Sequence, residues 1–571
     1  MQNDKLKSKI VVLGIHDGHN AGAALVKNGK VVAAISEERL NNIKNYFGPP
    51  LLSIKKVYEI AKISPEETDL IAIGCLVRVG PPYANINWLG KIQVQLAPFF
   101  HGHFFAKTYV KLLHLFREVK GLKTFFSNFG LGEKPLIFVE HHLSHAACAY
   151  YQRPWKGEAL VLTLDGSGDG LSATVSAGKD YKIERIAETT FYDSLSNNLY
   201  SEITGYLGMK RWEHEYKVMG LAPYGKDDGL IEELRKIIRI NPKKPLEFQN
   251  TFGVYLWQVT EKLSKALMGR RFDNIAWANQ RYFEELIAQW VKNAIKYTGI
   301  HNIVCSGGAF LNVKANKILR ELPEVDKAFF YPAADDGGTP VGAALAGYVG
   351  LCQEKKIKPK IYPLADIYYG KKFTNEEIEE IIKKTKWGRK AELVKTGLEK
   401  EIARLLNKGK IVGRFAGRDE WGPRALGNRS ILADPRDLKV INKLNFAIKQ
   451  RDFWMPFAPS LLEEEAKNYL VDFHPARYMI EAFDTKEKAQ GIIATLHQFD
   501  KTCRPQTVNF WNLSYRKIIE EFQKLTGVSG ILNTSFNLHG FPIVGSPATA
   551  LFTFENSGLD VLILENWVIE K

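Results

Sequence analysis

His141 and His145 stand four apart in the run His141-His142-Leu143-Ser144-His145, after an apolar, strand-like segment (135–140) and at the start of a helix-like one. On a helix that spacing sets both imidazoles on one face, within reach of a single metal ion, while His142 points about 100° away. Two imidazoles and a carboxylate suit zinc or ferrous iron, and Asp335-Asp336 is an acidic pair able to supply the carboxylate. A pair of structural histidines at a helix start is the alternative.

A second group is cationic. Between 414 and 436 the chain reads RFAGRDEWGPRALGNRSILADPR, with Arg414, Arg418, Arg424, Arg429 and Arg436 and no lysine. Exclusive use of arginine points to its planar fork, which grips phosphate or carboxylate at two points. Glycines and prolines make the stretch read as a loop that can converge its cations on a pocket. Lys449, Arg451 and Arg504 follow. Structural pairs with Asp419, Glu420, Asp434 and Asp452 are the alternative. The run Asn533-Thr534-Ser535-Phe536-Asn537 adds hydroxyls and amides after a strand, and by itself reads as an ordinary turn.

The third group is glycine-rich. Asp17-Gly18, Asp165-Gly166-Ser167-Gly168 and Ser306-Gly307-Gly308 each follow an apolar, β-branched run. Turns of this kind aim backbone N–H groups outward and form phosphate nests, and the last precedes a helix-like segment whose N-terminus favours anions. Ordinary turn chemistry accounts for any one of them; three together favour a nucleotide.

The elements that must position these groups are legible in outline. Apolar runs at 9–15, 23–27 and 31–35, joined through Asp17-Gly18 and Asn28-Gly29, predict strand, turn, strand, turn, strand. The same pattern returns at 159–164, 171–177 and 181–184, which suggests a duplication. Further strands are expected at 69–74, 135–140, 302–306 and 327–331, with helices at 274–297 and 338–350, an α/β alternation. A lysine-rich stretch at 352–361 reads as a linker. Beyond it, helices at 375–386, 399–409 and 547–556 alternate with strands at 410–415, 528–533 and 560–564. Two domains are expected, 1–355 and 360–571.

Composition bounds the function. The chain has 571 residues, 45% hydrophobic and 25% charged, which excludes collagen, coiled coil and wholesale disorder. A net charge of +15 favours polyanionic partners. No apolar stretch is long enough to span a membrane, and no signal peptide is read. Five scattered cysteines fit a reducing cytoplasm.

In order along the chain, DGHNAGAAL (17–25), EERL (37–40), HHLSHA (141–146), LDGSGDG (164–170), EYKVMGLAPYG (215–225), SGGAFLN (306–312), DDGG (335–338), WGPRALGNRSILADPR (421–436), MPFAPS (455–460) and NTSFN (533–537) resemble the NodU/CmcH family of O-carbamoyltransferases. The resemblance implies a duplicated actin-like (ASKHA) domain followed by a YrdC-like α/β domain. It implies that carbamoyl adenylate is made from ATP, with Mg²⁺, and carbamoyl phosphate in the second domain. The carbamoyl group then passes to a hydroxyl of a natural product or sugar in the first, which holds iron (Fe²⁺) and a nucleotide.

Carried over by position, His141, His145 and Asp335 are the metal ligands, with Asp336 as the substitute. Asp17 and His19 stand near the acceptor, His19 as general base. Asp165, Gly166, Gly168, Gly307, Gly308 and Asn312 hold the first domain's nucleotide. Lys449 with Arg451 and Ser535 with Asn537 match the KxR and SxN elements by which YrdC-like domains grip the acyl-phosphate and nucleotide, and Arg418, Arg424 and Arg504 are expected to join them in holding carbamoyl phosphate and ATP. Asn20 replaces the family's usual aspartate, and Phe541 the glutamate of its Gly-Glu-Pro. A tRNA threonylcarbamoyl-type transferase and a non-catalytic ATP-binding sensor are the rival readings. Clustering of the arginines in a loop, away from a helix face, disfavours nucleic acid. A homodimer is left open.

Overall fold

The computed structural model of the protein describes residues 9–77, 103–115 and 119–571. It forms two compact units, Met1–Glu37 with Asn45–Leu364 and Glu38–Lys44 with Ala365–Lys571. The short piece Glu38–Lys44 belongs to the second unit although it lies within the first unit's sequence. Within that second unit Arg39 is buried, with Nη2 donating to Gly422 O at 3.1 Å and Nη1 3.7 Å from Asp419.

The first unit contains two five-stranded sheets of the same design. Strands β1 (Val11–His16), β2 (Gly22–Lys27), β3 (Lys30–Ser36), β4 (Leu70–Ile73) and β5 (Leu136–Phe138) lie in the order β3-β2-β1-β4-β5. Strands β6 (Ala159–Gly168), β7 (Leu171–Lys179) and β8 (Lys182–Thr190) follow. After a small ribbon of β9 (Ile238–Ile240) and β10 (Phe248–Asn250) come β11 (Asn302–Ser306) and β12 (Lys327–Phe330), and the second sheet runs β12-β11-β6-β7-β8. Each sheet is an antiparallel three-strand meander with two parallel strands added beside its first strand. The repeat expected from sequence therefore appears as two sheets of one topology.

Both meanders turn on type I′ dipeptides. Asn28 and Gly29 have φ of 51° and 80°, and Asp169 and Gly170 have 49° and 83°, positive values that this turn demands at both centres. The second turn corrects the sequence reading. Asp165–Gly168 is no hairpin tip; it continues strand β6 through a register shift between Leu164 and Gly168. Such a bulge re-aims side chains without ending the strand.

Helix His141–Gln152 is buried along most of its length, and its small residues Ala146, Ala147 and Ala149 let neighbours approach. Helix Thr339–Glu354 packs on it so closely that a Cβ on Gly342 would stand 1.8 Å from Ser144 O. The lysine-rich stretch read as a linker is also tied to this unit: Lys360 N donates to the Tyr348 hydroxyl at 3.1 Å and Leu364 N to Gln152 O at 2.8 Å.

The second unit is built on an eight-stranded sheet. Its strands are β13 (Ala391–Leu393), β14 (Val412–Phe415), β15 (Arg429–Ala433), β16 (Ala458–Leu462), β17 (Gln506–Val508), β18 (Gly530–Ser535), β19 (Val561–Leu564) and β20 (Trp567–Glu570), in the order β13-β20-β19-β14-β15-β18-β16-β17. Alternate residues feed two cores: Val561 and Ile563 pack with helices Leu398–Asn407 and Leu513–Thr526, while Leu562 and Leu564 pack with helices Asn375–Lys383 and Pro547–Glu555. A pleated strand buried on both faces has this two-residue period. The arginine-rich stretch is thus not one loop, since it enters from β14 and ends in buried strand β15. Among the described residues no helix is long and apolar enough to cross a membrane.

Candidate functional site

Chain elements from both halves of the first unit converge on His141 and His145. Glu140 caps their helix, accepting from Leu143 N at 2.7 Å, and Arg185 holds the same carboxylate at 2.6 Å. Asp169 anchors the helix start by accepting from His141 N at 2.8 Å, and from Leu76 N and Val77 N at 2.8 and 2.9 Å. The two Nε2 atoms come to 3.1 Å from each other. Asp336 Oδ1 stands 3.5 Å from each of them, and Asp165 Oδ2 stands 3.3 Å from His141 Nε2 and 3.9 Å from His145 Nε2. One donor atom from each of the four lies within 4.8 Å of every other. Atoms bound to one ion at about 2.1 Å are separated by about 3–4 Å, the spacing seen here. Asp336 Oδ1 is buried and has no hydrogen-bond partner among the described residues, a loss that a metal ion would offset. The donor set fits a divalent cation.

The electrostatics agree. Burial alone would lower the pKa of His141, but Asp336 and Asp165 outweigh it and push the pKa up to about 10. Burial acts to raise Asp336, yet the imidazoles around it hold its carboxyl well below the usual range. Opposite charges crowded into a dry cluster are what an ion organises. Ser306 Oγ lies 3.3 Å from His145 Nδ1 and fixes the ring from behind, the usual office of a group next to a ligating histidine.

Asp336, and not Asp335 as the sequence suggested, lies among the donor atoms of His141, His145 and Asp165. Asp335 is turned away and accepts from Asn20 Nδ2 at 3.3 Å. Asp165, expected to hold a nucleotide, sits among the ligand atoms because the bulge aims it there. Its other oxygen accepts from Gly308 N at 2.9 Å, joining the Gly307-Gly308 loop to the cluster at the carboxyl ends of β6 and β11. Gly166 O accepts from Ser194 Oγ at 2.8 Å and Asn197 Nδ2 at 3.0 Å. Gly168 lies under the His141 ring. Asn312 caps helix Val313–Arg320, accepting from Ala315 N at 3.1 Å. Asp17 is buried beside Cys75, and His19 is partly exposed. Sequence reasoning passed over His16, the last residue of β1, whose fully buried ring is 3.8 Å from Asp336 Oδ2. Its place at the end of an apolar strand, one residue before Asp17, was the available signal.

The second unit gathers its own site. Lys449 is buried and donates to Ser535 O, to Ser535 Oγ at 3.2 Å, and to Asn537 O and Oδ1 at 3.0 and 2.8 Å. Lys449 and the Ser535–Asn537 run therefore meet. Burial, then Arg451 and Lys44, push the Lys449 pKa well down. Arg504 is likewise depressed by burial and then by two further cations, Arg424 and Arg451.

The remaining arginines do something else. Arg418 is not brought into this cluster: its guanidinium donates to Gly370 O at 3.0 Å and Tyr369 O at 2.7 Å. Arg414 binds Gly427 O and the Ser514 hydroxyl, Arg429 binds backbone carbonyls of Ala416 and Lys371, and Arg436 pairs with Asp434. Four of the five arginines in this stretch bond to backbone, hydroxyl or carboxylate groups of the second unit, while the charge of Arg424 acts on Arg504.

Residues 11–345 match the family described as carbamoyltransferase N-terminus and residues 403–571 that described as carbamoyltransferase C-terminus. The nodulation protein NolNO of Sinorhizobium fredii is 32% identical across 97% of this chain and 79% of its own length. Nodulation protein U of the same organism is 30% identical across 94% of this chain and 96% of its own. An uncharacterized protein of Synechocystis sp. is 32% identical across 97% of this chain and 95% of its own length. With both halves matched in order and relatives aligned nearly end to end, the chain belongs to the carbamoyltransferase family of enzymes.

Proposed function

We propose that the second unit forms carbamoyl adenylate from ATP and carbamoyl phosphate, and that the first passes the carbamoyl group to a hydroxyl of a small-molecule acceptor, a natural product or sugar. The observation that carries this reading is Arg504 flanked by Arg424 and Arg451. A group of cations gathered in one unit suits polyanionic ligands, and both donors are polyanions. Lys449, held by Ser535 and Asn537, adds a directed ammonium.

The chemistry balances. Carbamoyl phosphate yields its phosphoryl group to water as inorganic phosphate. The carbamate oxygen attacks the α-phosphorus of ATP, and pyrophosphate leaves against the cations, with Mg²⁺ accompanying the nucleotide. The acceptor oxygen then attacks the carbonyl carbon, AMP leaves, and His19 takes the hydroxyl proton, with Asp17 nearby. His141, His145, Asp165 and Asp336 would hold a divalent ion, ferrous iron by family resemblance, and that ion would supply Lewis acidity at the carbamoyl carbonyl. The Gly307-Gly308 loop and Asp165 support nucleotide binding beside them.

Pyrophosphate release is the test. ATP with carbamoyl phosphate should release it, ATP with threonine and bicarbonate should not, and Lys449→Ala should lower the rate at least ~100-fold. Release driven by threonine and bicarbonate, or an unchanged Lys449→Ala rate, would reject the reading.

A further inference from the structure

His16 is an anomaly of this interior. Its ring is completely buried, and neither Nδ1 nor Nε2 has a hydrogen-bond partner among the described residues. In either protonation state an imidazole keeps at least one N–H donor, and here that donor is left unanswered among the described residues. Buried polar atoms in that state are rare and costly, and ask for a ligand.

The neighbours of His16 belong to the donor cluster. Asp336 turns Oδ1 to His141 and His145 at 3.5 Å, and Oδ2 to His16 Nε2 at 3.8 Å. The His16 and His141 ring centroids are 6.2 Å apart. His16 falls outside the group of mutually close donor atoms. It therefore borders that cluster without joining the donor set itself.

We propose that His16 donates a hydrogen bond to the acceptor's hydroxyl oxygen and holds that oxygen against the His141, His145, Asp165 and Asp336 group. This rests on the carbamoyl-transfer reading of the first unit. It gives the two imidazoles of the His16-Asp17-Gly18-His19 run separate tasks, His16 orienting the oxygen and His19 taking its proton. His16 is buried at a strand end and cannot wander, as orientation requires.

The experiment uses the full-length protein loaded with Co²⁺, with azide standing in for the hydroxyl, and both affinities read from the visible spectrum. His16→Leu keeps a comparable volume and removes the orphaned polar atoms, so it is expected to stay folded. His16→Gln retains an N–H donor. Azide should bind about 10-fold or more weakly to His16→Leu, with His16→Gln recovering most of the loss. Co²⁺ affinity should stay within about threefold throughout, since a group outside the donor set is removed. Equal azide affinity in all three proteins overturns the proposal, as does a matching loss of Co²⁺ affinity in both variants, which would make His16 a ligand. Failure of the wild type to bind Co²⁺ overturns it too. Pyrophosphate release is assayed in parallel: its absence from the wild type rejects carbamoyl activation, whatever azide does.

Discussion

Adding one methyl group at Gly168 should disable the metal group while leaving the fold intact. A Cβ built there would lie 2.1 Å from His141 Cδ2, 2.2 Å from Cγ and 2.6 Å from Nε2. Ordinary carbon–carbon contact is about 3.5 Å, so in Gly168→Ala the imidazole must retreat by about 1.3 Å. The helix behind it is fixed by Glu140 and Asp169, and the displacement passes to Nε2. Misplacement by about 1 Å costs on the order of 100-fold, or about 2.7 kcal/mol. Competition for Co²⁺ against a coloured chelator measures this directly. Gly350→Ala is the matched control, because its Cβ meets nothing within 4 Å and alanine favours a helix by about 0.5–1 kcal/mol. Co²⁺ affinity in Gly168→Ala within threefold of wild type would refute the reasoning.

Two further outcomes follow from the same geometry. Arg418→Ala should destabilise the second unit by about 1–3 kcal/mol in urea titration, through two lost carbonyl contacts, and leave the KM for ATP within about twofold; a tenfold rise in KM would return Arg418 to the anion pocket. Because the metal-free protein holds His141 protonated up to about pH 10, a metal must displace that proton. Co²⁺ affinity should therefore rise about tenfold per pH unit between pH 7 and 9, and a flat profile by titration calorimetry would contradict the charge assignment.

Much of the fold was legible because it rests on local chemistry. Asn28-Gly29 demands a tight turn wherever it stands, and the apolar runs around it can only be strands. The second hairpin misled for a physical reason: Asp165-Gly166-Ser167-Gly168 has turn composition, but Asp169-Gly170 takes the turn and the glycines serve close packing, Gly168 under an imidazole. The histidine pair was readable from helical spacing. Its carboxylates were not, since Asp335 and Asp336 differ only in which way a single helical turn faces. The arginines show the same limit. Guanidinium chemistry suits phosphates and backbone carbonyls alike, and only the fold separates Arg424 from Arg418.

The crossing of Glu38–Lys44 into the second unit changes what dissection of this chain can mean. A cut after Leu364 breaks the backbone in two, yet the N-terminal fragment still carries residues 38–44, which belong to the other fragment's unit. The nicked halves should therefore stay associated through that short piece, without a covalent link. Expressing 365–571 alone takes Arg39 away from Gly422 and Asp419 and leaves the buried Asp419 without that guanidinium. Supplying residues 38–44 as a peptide should restore what is missing, and it makes that segment a natural place to tether or to disrupt the second unit by chemistry from outside.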